Sequence, residues 1–115
     1  MTGKDEGGLM QIREAQETVK KHLKEIGYDK IETTPSQAFL HLIEETGEVA
    51  RILLHQETNR SSLPSTSKHS ELNDEIADVF WQTLKLASYL DIDLEESFIK
   101  KYEKNKLKKE IISEK

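Results

Sequence analysis

The chain has 115 residues and no cysteine, with 35% hydrophobic, 6% aromatic and 34% charged residues and a formal net charge of −5. That is one domain's worth of chain, and disulfides, iron–sulfur clusters and thiolate metal sites are excluded. The acidic balance argues against sequence-independent nucleic-acid binding, no apolar run approaches the length that spans a bilayer, and the polar start Met1–Gly8 does not read as a signal peptide, so a cytoplasmic protein without nucleic-acid or membrane partners is expected.

Residues 1–8, Gly-rich and charged, read as a disordered lead. From Leu9 to Ile26 the apolar residues Ile12, Ala15, Val19, Leu23 and Ile26 recur at the spacing of an amphipathic helix, and Gly27 supplies a stop. His22 lies beside this stripe with no second histidine near it and reads as a partly covered surface residue. Tyr28 to Thr34 forms a connection. Thr34 can then cap a second helix, with Pro35 suited to its first position and the helix running to about Gln56.

In that second helix Phe39, Leu42, Ile43, Val49, Leu53 and Leu54 repeat with a helical period, while Glu44, Glu45 and Glu48 crowd three carboxylates into five residues. Each residue turns the helix by about 100°, so Glu45 and Glu48 share a face. Like charges at this spacing repel, and a cation should compensate them. Gly47 costs about 1 kcal/mol relative to alanine within a helix, which points to a close approach there by a neighbouring helix or a substrate. His41, one turn before Glu45, is expected at the rim of such a site, with a substrate contact as the alternative; His55 is expected in solvent.

Residues 57–70, rich in serine with Asn59 and Pro64, read as a loop that is either a lid or a mobile insertion. A third helix is expected over about Glu71 to Leu90, with Leu72, Ile76, Val79, Phe80, Leu84, Ala87 and Leu90 on its apolar side. Glu71, Glu75, Asp78, Gln82 and Lys85 follow one another at i+3 and i+4 steps along a polar strip, so that Gln82 and Lys85 project near the Glu75/Asp78 pair. Trp81 flanks the strip and reads as packing, with stacking on a base as the alternative. After a short turn, Asp93 can cap a fourth helix beginning near Leu94. Leu94, Phe98 and Tyr102 supply its apolar side. Lys101, Lys104, Asn105 and Lys108 line up on a neighbouring face, either as a solvated basic face or as donors to a polyphosphate.

Four helical segments and no strand pattern make the chain all-α. Carboxylates without cysteine or paired histidine favour a hard cation, Mg²⁺ with Mn²⁺ possible in its place. A di-iron bundle is disfavoured because no histidine stands three residues after a glutamate. So few apolar residues in so helical a chain predict a core completed by further copies, as a homodimer or homotetramer.

Glu44-Glu45-x-x-Glu48, followed after 26 intervening residues by Glu75-x-x-Asp78, resembles the motif of the MazG-like all-α nucleoside triphosphate pyrophosphatases. The likeness extends into Asp74–Trp81, Asp91–Glu96 and Lys101–Lys108, covering about Phe39 to Lys109 with the first helix compatible. It implies a MazG-like four-helix core over residues 9–111, assembled as a dimer or tetramer. It implies Mg²⁺-dependent cleavage of a (d)NTP to the monophosphate and pyrophosphate, in nucleotide-pool cleaning. Carried over by position, Glu45, Glu48, Glu75 and Asp78 would be metal ligands, and Glu44, beside Glu45, would orient or deprotonate the attacking water. Lys101, Lys104, Asn105 and Lys108 would contact phosphates or ribose. Gln82 occupies a place where several members carry an aromatic residue; with Trp81 and His41 it completes the expected substrate-binding set. Two other readings compete: a phosphoribosyl-ATP pyrophosphatase-like enzyme and a non-catalytic helical interaction module.

Overall fold

The computed structural model describes residues 9–58 and 69–113. They form four helices, α1 (Ile12–Glu25), α2 (Pro35–Thr58), α3 (His69–Tyr89) and α4 (Leu94–Ser113), with a 3₁₀ turn at Tyr28–Lys30 between α1 and α2. There is no strand among the described residues, so the fold is all-α. No described helix is long and apolar enough to cross a membrane. The expected lead, residues 1–8, and residues 59–68 of the expected lid lie outside the described residues.

The helix boundaries follow from local chemistry. α1 starts with the first residue of its apolar stripe, Ile12, rather than at Leu9, and the residue before it, Gln11, makes no side-chain cap. It ends where Gly27 takes φ 79°, a left-handed conformation that glycine adopts without a Cβ clash. At the start of α2, Thr34 and Gln37 form a reciprocal box: the Gln37 amide donates to Thr34 Oγ1 at 3.2 Å, and the Thr34 and Thr33 amides donate to Gln37 Oε1 at 3.2 and 2.8 Å. These bonds satisfy donors that a helix N-terminus leaves open. α2 continues to Thr58, two residues past the expected end, and α3 begins at His69 rather than Glu71.

The stripe of α1 buries Val19 and Leu23 against Leu84 of α3, with Ile12, Ala15, Tyr28, Trp81 and Leu94 packed around them. α2 pairs along α3, and α4 packs on α1. The second contact is a polar clasp. Arg13 donates through Nη2 and Nε to Asp93 Oδ2 at 2.9 and 3.1 Å, its Nη1 lies 3.1 Å from Glu95 Oε2, and its backbone amide donates to Glu95 Oε1 at 2.9 Å. Asp93 also accepts the Glu96 amide at 3.1 Å and so caps α4. Gln16 completes the clasp, donating to the Ile92 carbonyl at 2.7 Å and accepting the Leu94 amide at 3.1 Å.

The chain taken alone is open. Its radius of gyration is 17.8 Å, against about 13 Å expected for a compact domain of this length. Its accessible surface is 8838 Å², against about 6,500 Å² for a compact monomer of its mass. Phe39, Leu40 and Ile43 on α2, Ile76 and Phe80 on α3, and Phe98, Ile99, Tyr102 and Leu107 on α4 are all exposed.

Candidate metal centre

Along the α2–α3 seam, Glu45 of α2 meets Glu75 and Asp78, which stand one turn apart on α3. One carboxylate oxygen from each lies within 4.8 Å of the others. Glu45 and Glu75 are partly buried and Asp78 is exposed. Glu75 Oε1 is closed off from solvent without a hydrogen-bond partner. Burial first, and then the charges of Glu45 and Asp78, raise the Glu75 carboxyl above its ordinary 4.5. Crowded carboxylates with a buried oxygen that no donor meets are stabilised by a nearby cation. The donor set is all oxygen, which suits Mg²⁺ or Mn²⁺. Glu45, Glu75 and Asp78 would hold such an ion between α2 and α3.

Glu48, expected among the ligands, stands beside this trio and is held by Arg51. Arg51 donates to Glu48 Oε1 through Nη2 at 2.7 Å and Nε at 3.2 Å. The hydrogen bond and charge of Glu48 raise the Arg51 guanidinium pKa, with Glu75 and Glu71 adding to the effect. The compensating cation anticipated from the carboxylate spacing is therefore, in the protein alone, Arg51.

A second polar cluster adjoins the first. Lys85 is 1% exposed and Glu32 6%, and Lys85 Nζ stands 2.5 Å from Glu32 Oε1 and 2.9 Å from His41 Nδ1. It also lies 5.2 Å from the centre of the Tyr28 ring, in cation–π range. Glu32 Oε2 is 3.1 Å from His41 Nδ1 and accepts the Tyr28 hydroxyl at 3.4 Å. The Tyr89 hydroxyl donates to the Glu32 carbonyl. Burial, then the charge of Glu32, raises both tyrosine phenols. On its other edge His41 Nε2 lies 3.3 Å from Glu45 Oε2, so the cluster touches the carboxylate trio. Tyr28 and Glu32 carried no sequence signal of this role. Lys85 did sit on the strip through Asp78, but its burial required the 3₁₀ turn to fold across α3.

The remaining expected residues are placed as follows. Glu44 lines an open pocket of about 320 Å³ with Tyr28, Glu32, Gln37, Leu40 and His41. Gln82 is buried, with its Oε1 closed off and without a hydrogen-bond partner. Trp81 packs against the α1 core and meets His22 edge-on at 5.6 Å, which is the packing role. Lys101, Lys104, Asn105 and Lys108 are exposed on α4, and α4 packs on α1 rather than along the α2–α3 pair. His55 is partly buried with Nε2 closed off and without a partner, where solvent was expected. Among the described residues nothing lies within 4 Å of a Cβ placed on Gly47, so no close approach by them accounts for that glycine.

Two paired helices that bring carboxylates together from both sides define an all-α protein with an acidic cluster that could hold a cation. The family can be given more narrowly: the MazG nucleotide pyrophosphohydrolase domain matches residues 33–111, and the chain belongs to that family. The match takes in α2, α3 and most of α4; α1, Tyr28 and Glu32 precede it. No curated protein and no solved structure matches the chain closely enough to count as a relative.

Proposed function

We propose that this protein is a divalent-metal-dependent nucleoside triphosphate pyrophosphohydrolase, which releases a nucleoside monophosphate and pyrophosphate and clears unwanted (d)NTPs from the cytoplasmic pool. The observation that carries this reading is the convergence of Glu45, Glu75 and Asp78 with an unpartnered buried oxygen on Glu75. Glu45, Glu75 and Asp78 would hold the ion, and Glu48 would join them on leaving Arg51. A bound Mg²⁺ or Mn²⁺ supplies charge neutralisation at phosphoryl oxygens and a more acidic water. Glu44, next in sequence to Glu45 and lining the adjoining pocket, is the group to orient the attacking water or take its proton.

The same reading needs cations for the phosphates that the metal does not cover. Lys101, Lys104 and Lys108 with Asn105 are suited to this, but α4 packs on α1 and not along the seam that holds the carboxylates. They serve a second copy's site in a homodimer or homotetramer, whose contacts also cover the exposed apolar residues of α2, α3 and α4.

The test is pyrophosphate release from a panel of canonical and modified (d)NTPs with Mg²⁺, run beside Asp78→Ala. Metal-dependent release by the parent and none by the variant is expected, and the panel ranks the bases. If folded parent protein releases pyrophosphate from none of them, the reading fails, and phosphoribosyl-ATP and a docking role become the alternatives to examine.

A further inference from the structure

We propose that the buried Lys85–Glu32–His41 chain is a positioning device for Glu45, holding that carboxylate ready for the metal before the ion arrives. The inference rests on the reading that Glu45 is a metal ligand. Lys85 and Glu32 are too buried for water to solvate their charges, so each is tolerated only through its partners. A buried ion pair adds little to stability over apolar residues of the same volume. Its geometry, however, has a direction: it runs from α3 through the connection before α2 to His41, and from His41 to Glu45.

The direction is set by where the imidazole keeps its hydrogen. His41 Nδ1 lies 2.9 Å from Lys85 Nζ and 3.1 Å from Glu32 Oε2. If Nδ1 accepts from the Lys85 ammonium, the neutral ring carries its hydrogen on Nε2. An ammonium offers only donors, so Nδ1 is the acceptor at that 2.9 Å contact. This places the N–H on Nε2, 3.3 Å from Glu45 Oε2. One oxygen of Glu45 is thereby attracted to a ring whose own orientation is fixed by two buried charges and the Tyr28 hydroxyl. Histidine and carboxylate exchange places here relative to the usual outer sphere of a metal, where the carboxylate orients the histidine. The physical effect is the same: a ligand confined to fewer rotamers binds metal without first having to be ordered. Tyr28 and Glu32 lie outside the segment that matches the family, so this support comes from the chain's own N-terminal portion.

The experiment titrates Mn²⁺ into the full chain without nucleotide, following the free-ion EPR signal, and measures kcat and KM for a triphosphate at saturating metal. His41→Leu removes the link to Glu45, and the double variant Glu32→Gln/Lys85→Met removes both buried charges while keeping their volume. Mn²⁺ affinity is expected to fall about 10- to 100-fold in each, as for other outer-sphere partners of metal ligands, and in the double variant kcat at saturating metal is expected to change much less. His41→Gln, whose amide can again donate to Glu45, is expected to recover part of the affinity. His41→Leu protein that unfolds at the parent's temperature and binds Mn²⁺ within twofold of it overturns the inference while leaving the metal reading intact. Parent protein that binds no Mn²⁺, or Asp78→Ala that binds it equally well, overturns both.

Discussion

Glu45 on α2 and Glu75 on α3 are opposed carboxylates, and after burial the charge of Glu45 is the largest influence raising the Glu75 carboxyl. An acid whose pKa is raised by folding binds its proton more tightly when folded. Its contribution to stability is therefore full below the unfolded value near 4.5 and is lost as pH rises through the raised folded value. Without metal, the melting temperature of the parent should decline with rising pH above about 4.5 more steeply than that of Glu75→Gln. At neutral pH the variant should match or exceed the parent. Saturating Mg²⁺ should raise the parent's melting temperature, since a ligand for the native state stabilises it by about 2.7 kcal/mol at a hundredfold excess over Kd, and leave the variant's unchanged. A metal-free variant less stable than the parent would show that Glu75 is held by something other than repulsion.

Arg51 offers a sharper test of what neutralises the seam. Its guanidinium occupies Glu48 and lies in the field of Glu75 and Glu71, so a metal ion competes with it for the same negative charge. Arg51→Ala is expected to tighten Mn²⁺ binding in the absence of nucleotide, several-fold on a calorimetric titration. Weaker binding in this variant would mean that Arg51 orders Glu48 for the ion instead of withholding it.

The shared faces of Glu45 with Glu48 and of Glu75 with Asp78 were legible because helical spacing alone fixes them, and the caps at Thr34 and Asp93 because their chemistry is local. Periodicity along α3 also put Gln82 and Lys85 in line with Asp78, but which part of a strip is covered depends on what folds over it. Here the turn at Tyr28 and the segment through Glu32 cover its C-terminal half, an approach between residues 53 positions apart in the Lys85–Glu32 pair. No single-helix pattern contains that information. Glu48 and Arg51 stand at an i, i+3 spacing that lets them pair, but spacing alone does not choose between that partner and a metal ion. In the proposed assembly the exposed apolar faces and the distant lysines of α4 would meet a second chain, and one sequence encodes such contacts only as an unexplained excess.

Gly47 offers a test for contact between copies. Among the described residues it sits in a helix, exposed, with open space where a Cβ would go. Gly47→Ala should then raise stability by up to about 1 kcal/mol in a urea titration. Loss of stability would locate a close approach by a neighbouring copy at this turn of α2.

The α1–α4 clasp should give the opposite pH trend to Glu75. The Glu96 amide first, and then Arg13, hold the Asp93 carboxyl below its usual 3.8. A depressed acid contributes stability above its unfolded value and loses it as pH falls through the folded one. Asp93→Asn keeps an oxygen for the Glu96 amide but gives up the charge that Arg13 faces. Its melting temperature should be lower than the parent's at neutral pH, with the gap closing as the medium is acidified below about pH 4. A gap that persists in acid would assign the loss to the cap itself.

Placement of the α4 lysines on a second copy's site can be tested by mixing two defective proteins. Asp78→Ala lacks a carboxylate, and Lys101→Ala/Lys104→Ala/Lys108→Ala lacks the phosphate cations, so each assembly alone should be inactive. If the lysines act on the neighbouring chain, a mixed dimer contains one site with both defects and one with neither. Random exchange in equal proportion then restores about a quarter of the parental activity. If the lysines act on their own chain, every site in every mixture keeps one defect, and mixing restores nothing. Light scattering on each protein before and after mixing establishes that subunits have exchanged. An inactive mixture of fully exchanged oligomers would therefore require α4 to reach its own chain's carboxylates, by leaving the Arg13 clasp that holds it on α1.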